Sequence, residues 1–158
     1  MAEIEIRPAR PGDAAEVGDV WLRSFTTALP GVRLAHTSEE VRAWLRDVLL
    51  PRGGTWVAVA EQRVVGMLAV HGHDLDQLYV DPDWHGRGIG SRFVGLAKER
   101  SASGLTLWTF QVNAPARRFY ERHGFVPVEY TDGAANEERE PDVRYVWPAP
   151  EAPETSAS

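Results

Sequence analysis

A glycine-rich segment at residues 85–91 carries the clearest chemical signal in this sequence. It reads His-Gly-Arg-Gly-Ile-Gly-Ser and lies between a predicted strand and a predicted helix. The start of a helix presents unpaired backbone N–H groups and the positive end of the helix dipole. Because glycine has no side chain, a ligand can approach those groups closely. The segment therefore predicts a site for a phosphate or pyrophosphate, with a glycine turn that merely caps a helix as the alternative.

Two common phosphate-binding motifs do not fit the spacing of these glycines. A P-loop requires Lys-Ser or Lys-Thr after its last glycine, whereas Gly90 is followed by Ser91 and Arg92. A dinucleotide-binding fingerprint requires Gly-x-Gly-x-x-Gly, whereas the glycines here stand at alternate positions, Gly86, Gly88 and Gly90. The spacing therefore indicates a phosphate-bearing ligand of another class.

A second segment, residues 105–125, has the pattern of a strand followed by a short helix. Residues 105–113 are rich in strand-forming residues, and Asn113 is predicted to cap a helix with Pro115 in its first turn. Gly124 suits the end of that helix. The residues predicted to share one helix face are Ala116, Phe119, Tyr120 and His123.

Together, these two segments resemble the GNAT superfamily of N-acetyltransferases. Gly88 and Gly90 match the family's acyl-CoA loop, Gln/Arg-x-x-Gly-x-Gly/Ala, and His85 departs from it at the Gln/Arg place. Residues 113–125 match a second family motif, Asn-x-x-Ala-x-x-Phe-Tyr-x-x-x-Gly-Phe. The resemblance covers residues 75–125 well and the flanks only in pattern.

The resemblance implies a fold and an activity. The expected fold is an α/β fold with a mixed sheet, helices on both faces and the order β-α-α-β-β-β-α-β-α-β-β. We expect residues 1–148 to form a single GNAT domain and residues 149–158 to be a disordered tail. The implied activity moves the acetyl group of acetyl-CoA to a primary amine of a small molecule or a protein. The alternatives are another acyl donor, or a non-catalytic module that senses acyl-CoA.

The resemblance also assigns roles to individual residues. The backbone at Leu78 would stabilise the developing oxyanion, and Val80 would pair with the pantetheine arm. Tyr120 would protonate the leaving thiolate, although a core aromatic beside Phe119 is the simpler alternative. The residues expected to contact acetyl-CoA are Leu78, Tyr79, Val80, His85, Gly86, Arg87, Gly88, Ile89, Gly90, Ser91, Asn113 and Tyr120.

The residue that takes the amine proton is less well defined by the sequence. Asp74 and Asp76 precede the glycine loop on one predicted strand, and strand alternation would place both on the side of Leu78. Either carboxylate could polarise a water that accepts the proton, could hold a cationic acceptor, or could simply be solvated. His71 and His73 are further candidates for a base but fit strand-end residues better.

Aromatic residues are predicted to line the acceptor pocket. The sequence contains six tryptophans, a high number for its length. They would form either an aromatic-walled slot for the acceptor or ordinary core packing. The predicted pocket residues are Trp21, Phe25, the loop 29–36, Trp108, Phe110 and Tyr145.

Composition bounds the remaining possibilities. With 158 residues, 43% hydrophobic and 25% charged, the chain suits one globular domain. The absence of cysteine excludes an acetyl-cysteine intermediate, so transfer must be direct, and no metal site is predicted. A net charge of −6 argues against nucleic-acid binding. Without an apolar span or a signal peptide we expect no membrane association and a cytoplasmic location, and the resemblance allows a homodimer.

The flanking elements that must position these motifs can be read from caps and periodicity. Two capping boxes are predicted to start the first two helices, Asp13 with Glu16 and Thr37 with Glu40. Residues 55–60 and 64–70 are predicted to form a hairpin around a polar turn. The predicted apolar face of the second helix consists of Val41, Trp44, Leu45 and Val48.

Overall fold

Seven strands form one mixed sheet in the computed structural model, which describes residues 3–150. The spatial order is β1-β2-β3-β4-β5-β7-β6. All neighbouring strands are antiparallel except β4 and β5, which are parallel. The strands are β1 (Glu5–Pro8), β2 (Thr55–Ala60), β3 (Arg63–His71), β4 (Asp74–Val80), β5 (Leu105–Phe110), β6 (Val126–Tyr130) and β7 (Asp142–Trp147).

Four helices flank this sheet in the predicted order. The first two are α1 (Ala14–Ala28) and α2 (Ser38–Trp44), and α2 continues through a π-helical turn (Leu45–Leu49) and a last turn (Leu50–Arg52). The other two are α3 (Ile89–Arg100) and α4 (Ala114–Arg122). The α/β fold class and the element order that the sequence predicts are therefore confirmed.

The helices cover both faces of the sheet and create two hydrophobic cores. Val17 of α1 and Leu45 of α2 pack with Met67 of β3 in one core. In the other core, Phe93 of α3 packs with Leu68 of β3. Because successive strand residues point to opposite faces, Met67 and Leu68 enter different cores, and both are fully buried. This double burial explains why the sequence of β3 is almost continuously apolar.

A bulge in β4 overturns one prediction about side-chain direction. Ala69 pairs with Gln77 and Val70 with Leu75, so Asp76 is an extra residue on β4. The extra residue reverses the alternation, and Leu75 therefore faces the same core as Leu78. The predicted common side for Asp74, Asp76 and Leu78 is wrong because period-two alternation does not survive a bulge.

Two details of the predicted helices also differ. Thr37 and Glu40 form the predicted capping box, with both hydrogen bonds at 3.1 Å. Asp13 instead forms an ion pair with Arg7 at 2.8 Å and accepts a hydrogen bond from the Arg10 N–H, and its side chain makes no hydrogen bond that caps α1.

The buried face of α2 is shifted by its π-helical turn. Leu49 is fully buried, whereas Val48, predicted for this face, is 42% exposed. A π-helical turn holds more residues than an α-helical one, so Leu49 rather than Val48 follows Leu45 on the buried side. Of the predicted tail 149–158, residues 151–158 lie outside the described residues.

The ion pair between Arg7 and Asp13 is expected to stabilise the fold. Asp13 accepts two hydrogen bonds from the Arg7 guanidinium, at 2.8 and 3.0 Å, and one from the Arg10 N–H at 2.7 Å. These contacts hold the pKa of Asp13 below its ordinary value, chiefly through the hydrogen bond from Arg7. Asp13→Asn should lower the free energy of unfolding by about 2 kcal/mol at pH 7, measured by urea denaturation.

The difference in unfolding free energy between the wild type and Asp13→Asn depends on pH, and its direction follows from the lowered pKa of Asp13. The stabilisation is fully present above the unfolded-state pKa of about 4 and is lost as the pH falls through the lower folded-state pKa. The control is Asp47→Asn, which disrupts the solvent-exposed pair of Asp47 with Arg46 and should leave the denaturation midpoint unchanged. Equal midpoints for the two variants would contradict the prediction.

Candidate active site

The candidate site begins where β4 and β5 separate. Their pairing is a single register pair, Asp74 with Thr106, supported by a hydrogen bond of 2.7 Å from the Thr106 N–H to the His73 carbonyl. Beyond that point β4 follows β3 and β5 follows β7. The two strands therefore diverge, and the edge of β4 at residues 78–80 faces a gap in the sheet.

A cavity of about 630 Å³ occupies this gap. Its size lies within the range of about 300–1,000 Å³ that is usual for ligand pockets. The walls come from α1, the end of β4, the glycine loop, β5, α4 and the loop between β6 and β7. The predicted site residues among its lining are Leu78, Tyr79, Val80, His85, Gly86, Gly88, Ile89, Gly90, Ser91, Asn113 and Tyr120.

At one end of the cavity, the glycine loop leads into the first turn of α3. Gly86 and Gly88 adopt positive φ angles of 77° and 80°, which other residues rarely adopt. Gly88 provides no side-chain cap, and the first backbone hydrogen bond of the helix runs from Arg92 N–H to the Gly88 carbonyl at 3.0 Å. The N–H groups of the first turn of α3, at Ile89, Gly90 and Ser91, are therefore available to an anion.

Open space around the loop allows such an anion to approach. A Cβ atom added at Gly86 or Gly88 would meet no atom within 4 Å. At Gly90, by contrast, it would lie 3.0 Å from the Phe119 ring, so this glycine allows α3 and α4 to pack closely. These features fit the pyrophosphate of an acyl-CoA, and the Arg122 side chain at the cavity wall adds positive charge.

Several hydrogen bonds hold the end of β4 against α1. The Val80 carbonyl accepts hydrogen bonds from Ser24 Oγ and from His85 Nε2, both at 3.0 Å. Asp81 is 3% exposed and accepts a hydrogen bond from Arg23 at 2.7 Å. Sequence analysis missed Arg23 and Asp81, although Asp81-Pro82 directly after a strand is a recognisable turn signal.

Tyr120 of α4 places a phenol in the same cavity. The helix begins at Asn113, whose Oδ1 accepts a hydrogen bond from the Ala116 N–H at 3.2 Å, as predicted for a cap. The Tyr120 ring packs edge-on against Phe119 at 5.3 Å and Phe125 at 5.6 Å. Burial raises the pKa of the phenol above its ordinary value, so the hydroxyl is protonated at neutral pH.

The remaining predicted cofactor-binding residues make contacts of their own. His85 donates to the backbone and therefore orders the loop. The Arg87 guanidinium stacks on Trp84 at 4.3 Å and does not line the cavity. Ser91 Oγ lies 3.1 Å from His123 Nε2, within hydrogen-bond distance.

Asp74 and Asp76, the predicted bases, lie outside the cavity. Asp74 begins β4 at the end opposite to the site and pairs with His71 in the turn from β3. The Asp76 carboxylate lies 3.9 Å from His71 Nδ1. His71 and His73 bind backbone carbonyls, those of Gly53 and Gly104. The geometry therefore brings none of these four side chains to the site.

The predicted acceptor pocket is partly assembled. Phe25, Leu29, Trp108 and Phe110 line the cavity, whereas Trp21 and Tyr145 do not. Trp21 donates a hydrogen bond to Gln77 at 3.1 Å, and the buried Tyr145 donates to the exposed Glu121 at 2.6 Å. Trp108 is 50% exposed, so the cavity is open to solvent beside this residue.

The loop between β6 and β7 supplies cavity residues that sequence analysis missed. Asn136 and Glu138 of this loop line the cavity, as does Asp142, the first residue of β7. The sequence marks residues 132–141 only as a polar loop, and no local pattern indicates that the loop reaches the site. Its approach depends on the pairing of β7 with β5, a contact between distant parts of the chain.

Two further observations concern membranes and metals. Within residues 3–150, no helix has the length and apolar character needed to cross a bilayer. Over the same part of the chain, no three acidic or histidine side chains are grouped as a metal ion would require.

Comparison with known proteins places this site in a family. Residues 51–127 match the family described as Acetyltransferase (GNAT) domain. The peptidyl-lysine N-acetyltransferase YjaB of Salmonella typhimurium is 34% identical over 123 residues, covering 77% of this chain and 83% of YjaB.

Solved structures agree with this assignment. The solution structure of apo-form YjaB from Escherichia coli superposes with a TM-score of 0.77 at 27% identity, covering 92% of this chain and 97% of that one. The PaiA N-acetyltransferase of Thermoplasma acidophilum, solved in complex with coenzyme A, has the same fold, with a TM-score of 0.69 at 21% identity and coverages of 91% and 98%. From this likeness and the geometry of the site, the chain belongs to the GNAT family of N-acetyltransferases and is an acyltransferase.

Proposed function

We propose that this N-acetyltransferase moves the acetyl group of acetyl-CoA directly to a primary amine. The observation that carries the proposal is one cavity that joins a glycine-lined helix start to a buried, protonated tyrosine. The helix start suits the pyrophosphate of the donor, and the tyrosine suits its thiol end. We further propose that residues 1–148 form the catalytic domain and that it acts in the cytoplasm, where acetyl-CoA is available.

The donor would lie along the gap between β4 and β5. Backbone N–H groups of the first turn of α3, at Ile89, Gly90 and Ser91, would bind the pyrophosphate. The edge of β4 that faces the gap would donate the Val80 N–H to the pantetheine arm, because the Val80 carbonyl already accepts hydrogen bonds from Ser24 and His85. Asn113 would lie on the opposite side of the arm. Bound acetyl-CoA supplies an activated thioester, and the backbone at Leu78 would stabilise the charge that develops on its carbonyl oxygen.

Tyr120 would act as the general acid. The group must be protonated before transfer, and the raised pKa of its phenol meets that condition. The same exclusion of water raises the pKa of the leaving thiol, so burial raises the pKa values of both the acid and the leaving group. Tyr79 lines the cavity close to this point and would help to exclude water.

A lysine side chain is the acceptor class that we favour. The YjaB relatives carry the name peptidyl-lysine N-acetyltransferase. Phe25, Trp108 and Phe110 provide apolar walls for a tetramethylene chain, and the exposed side of Trp108 leaves room for the peptide that carries it. A free aliphatic amine has the same reacting end and would use the same walls.

The first test of the proposal is donor binding. Calorimetric titration should show one-to-one binding of acetyl-CoA to the folded protein and no binding of ATP. Gly88→Ala should weaken acetyl-CoA binding about tenfold, because alanine is disfavoured at a positive φ and the loop must shift.

The matched control for this test is Gly95→Ala in α3. Its φ is not positive and a new Cβ would meet no atom within 4 Å, so binding should be unchanged. Failure of the folded wild-type protein to bind acetyl-CoA would contradict the proposed donor, and a preference for a longer acyl-CoA would revise it.

A second test concerns the acid. Tyr120→Phe should reduce kcat about 100-fold while the affinity for acetyl-CoA stays near the wild-type value, because the change removes only the hydroxyl group that donates the proton. Tyr130→Phe, in which the changed hydroxyl belongs to a residue that is 56% exposed and lies outside the cavity, should behave as wild type. An unchanged kcat in Tyr120→Phe would rule out this role.

The pH profile of the wild-type rate gives a third prediction. An acid acts only while protonated, and burial raises the pKa of Tyr120 above the usual value of about 10. The rate at saturating substrates should therefore show no decline attributable to this group up to about pH 10. A kcat decline with an apparent pKa near 9 that disappears in Tyr120→Phe would contradict the expected direction of the shift.

A further inference from the structure

We infer that Glu138, on the loop between β6 and β7, receives the acceptor ammonium and acts as the general base of the reaction. The inference rests on the proposed function, because it assigns the proton that an amine must lose before transfer. Glu138 lines the same cavity as Tyr79, Tyr120 and Trp108.

The acceptor requires such a group for a simple reason. A lysine amine has a pKa of about 10.4, so at pH 7 roughly one molecule in 2,500 is neutral and able to attack. A carboxylate at the acceptor end attracts the cation and accepts its proton. The predicted candidates, Asp74 and Asp76, cannot contact the amine there because they lie outside the cavity.

Among the carboxylates of the cavity, hydrogen bonding distinguishes Glu138 from Asp142. One oxygen of Asp142 accepts a hydrogen bond from Thr131 Oγ1, and the other accepts one from Asn136 Nδ2 at 3.1 Å. In this loop, Asn136, Glu137 and Glu140 take part in hydrogen bonds or ion pairs, whereas within residues 3–150 none involves the Glu138 carboxylate. Asp142 is therefore committed to holding the loop, and Glu138 is available to a ligand.

The loop that carries Glu138 has a defined shape. Asn136 donates to the Glu140 carbonyl at 2.7 Å and accepts from the Glu140 N–H at 3.2 Å, closing the loop on itself. Gly133 has a φ of 84°, and a Cβ there would lie 2.4 Å from the Glu140 backbone. Glu137 lies 2.6 Å from His36 Nε2, but both side chains are solvent-exposed, so this pair contributes little to the shape of the loop.

An electrostatic observation agrees with this placement. The pKa of the Tyr79 phenol is raised first by burial and then by the negative charges of Glu138 and Asp76. Of these two carboxylates, only Glu138 lines the cavity together with Tyr79. The other charged or titratable side chains of the cavity wall are His85, Tyr120, Arg122 and Asp142.

The proton balance of the reaction is then complete. Glu138 accepts one proton from the ammonium and later releases it to solvent. The amine nitrogen forms its bond to the acetyl carbon while the bond from that carbon to sulfur breaks. Tyr120 gives its proton to the departing sulfur and regains one from the new amide nitrogen. The products are the N-acetylated amine, the free thiol of CoA and one proton.

The test compares Glu138→Gln with Glu137→Gln. Glutamine keeps the size of the side chain and removes its charge, and the two positions are adjacent on one loop. Thiol release is measured at saturating acetyl-CoA with two acceptors, n-butylamine and a peptide that has one lysine and a blocked N-terminus. At pH 7, Glu138→Gln should lower kcat/KM for the amine about 100-fold, and Glu137→Gln should remain near wild type.

Three readouts separate a base from a merely structural residue. Acetyl-CoA affinity by calorimetry should be equal in both variants. The rate of Glu138→Gln should rise about tenfold for each pH unit between 7 and 9, because neutral amine must then come from solution. The unfolding temperature should match that of Glu137→Gln.

The outcomes distinguish failure of this inference from failure of the proposed function. Equal kcat/KM values and equal pH profiles in the two variants, with an active wild type, would overturn the role of Glu138 and leave the proposed function intact. A wild-type protein that binds acetyl-CoA but acetylates neither amine would overturn the proposed activity, and the role of Glu138 with it.

Discussion

The separation of β4 from β5 after a single register pair is the constraint on which the site depends. Each strand is held on its other side by a long antiparallel partner, so the gap cannot close without loss of those hydrogen bonds. A backbone N–H or C=O that faced the gap without any hydrogen-bond partner would cost about 1–3 kcal/mol. Water or a ligand must therefore occupy the gap between the two strands. A strand edge whose backbone groups face such a gap is suited to an extended ligand that carries amide groups of its own.

The glycine loop acts as part of this gap because α3 is docked closely on the sheet. Gly66 of β3 lies under Phe93, where a Cβ would be 3.0 Å from the ring, so the helix can approach β3 and begin at the end of β4. The buried Asp81, bonded to Arg23, holds the same strand end from the side of α1. Packing on both faces of the sheet thus fixes the position of the α3 N-terminus relative to the edge of β4.

The proposed acid and base come from different layers of the fold. Tyr120 belongs to a short helix that is held by aromatic contacts, and Glu138 belongs to a loop that is shaped by Asn136 and by the strain-free turn at Gly133. The two side chains approach the cavity from separate elements, so one can be altered with little effect on the position of the other. Such separation suits a reaction that removes a proton at one point and delivers a proton at another.

Local sequence was sufficient for the element order, the cap at Asn113, the capping box at Thr37 and the glycine loop, because each depends on residues a few positions apart. It was not sufficient for the bulge at Asp76, the π-helical turn that buries Leu49, or the ion pair that removes Asp13 from its predicted cap. These features depend on which strand or side chain lies opposite. The arrival of Glu138 at the cavity was decided only by the pairing of β7 with β5, since contacts between residues far apart in the chain leave no periodic trace in the sequence.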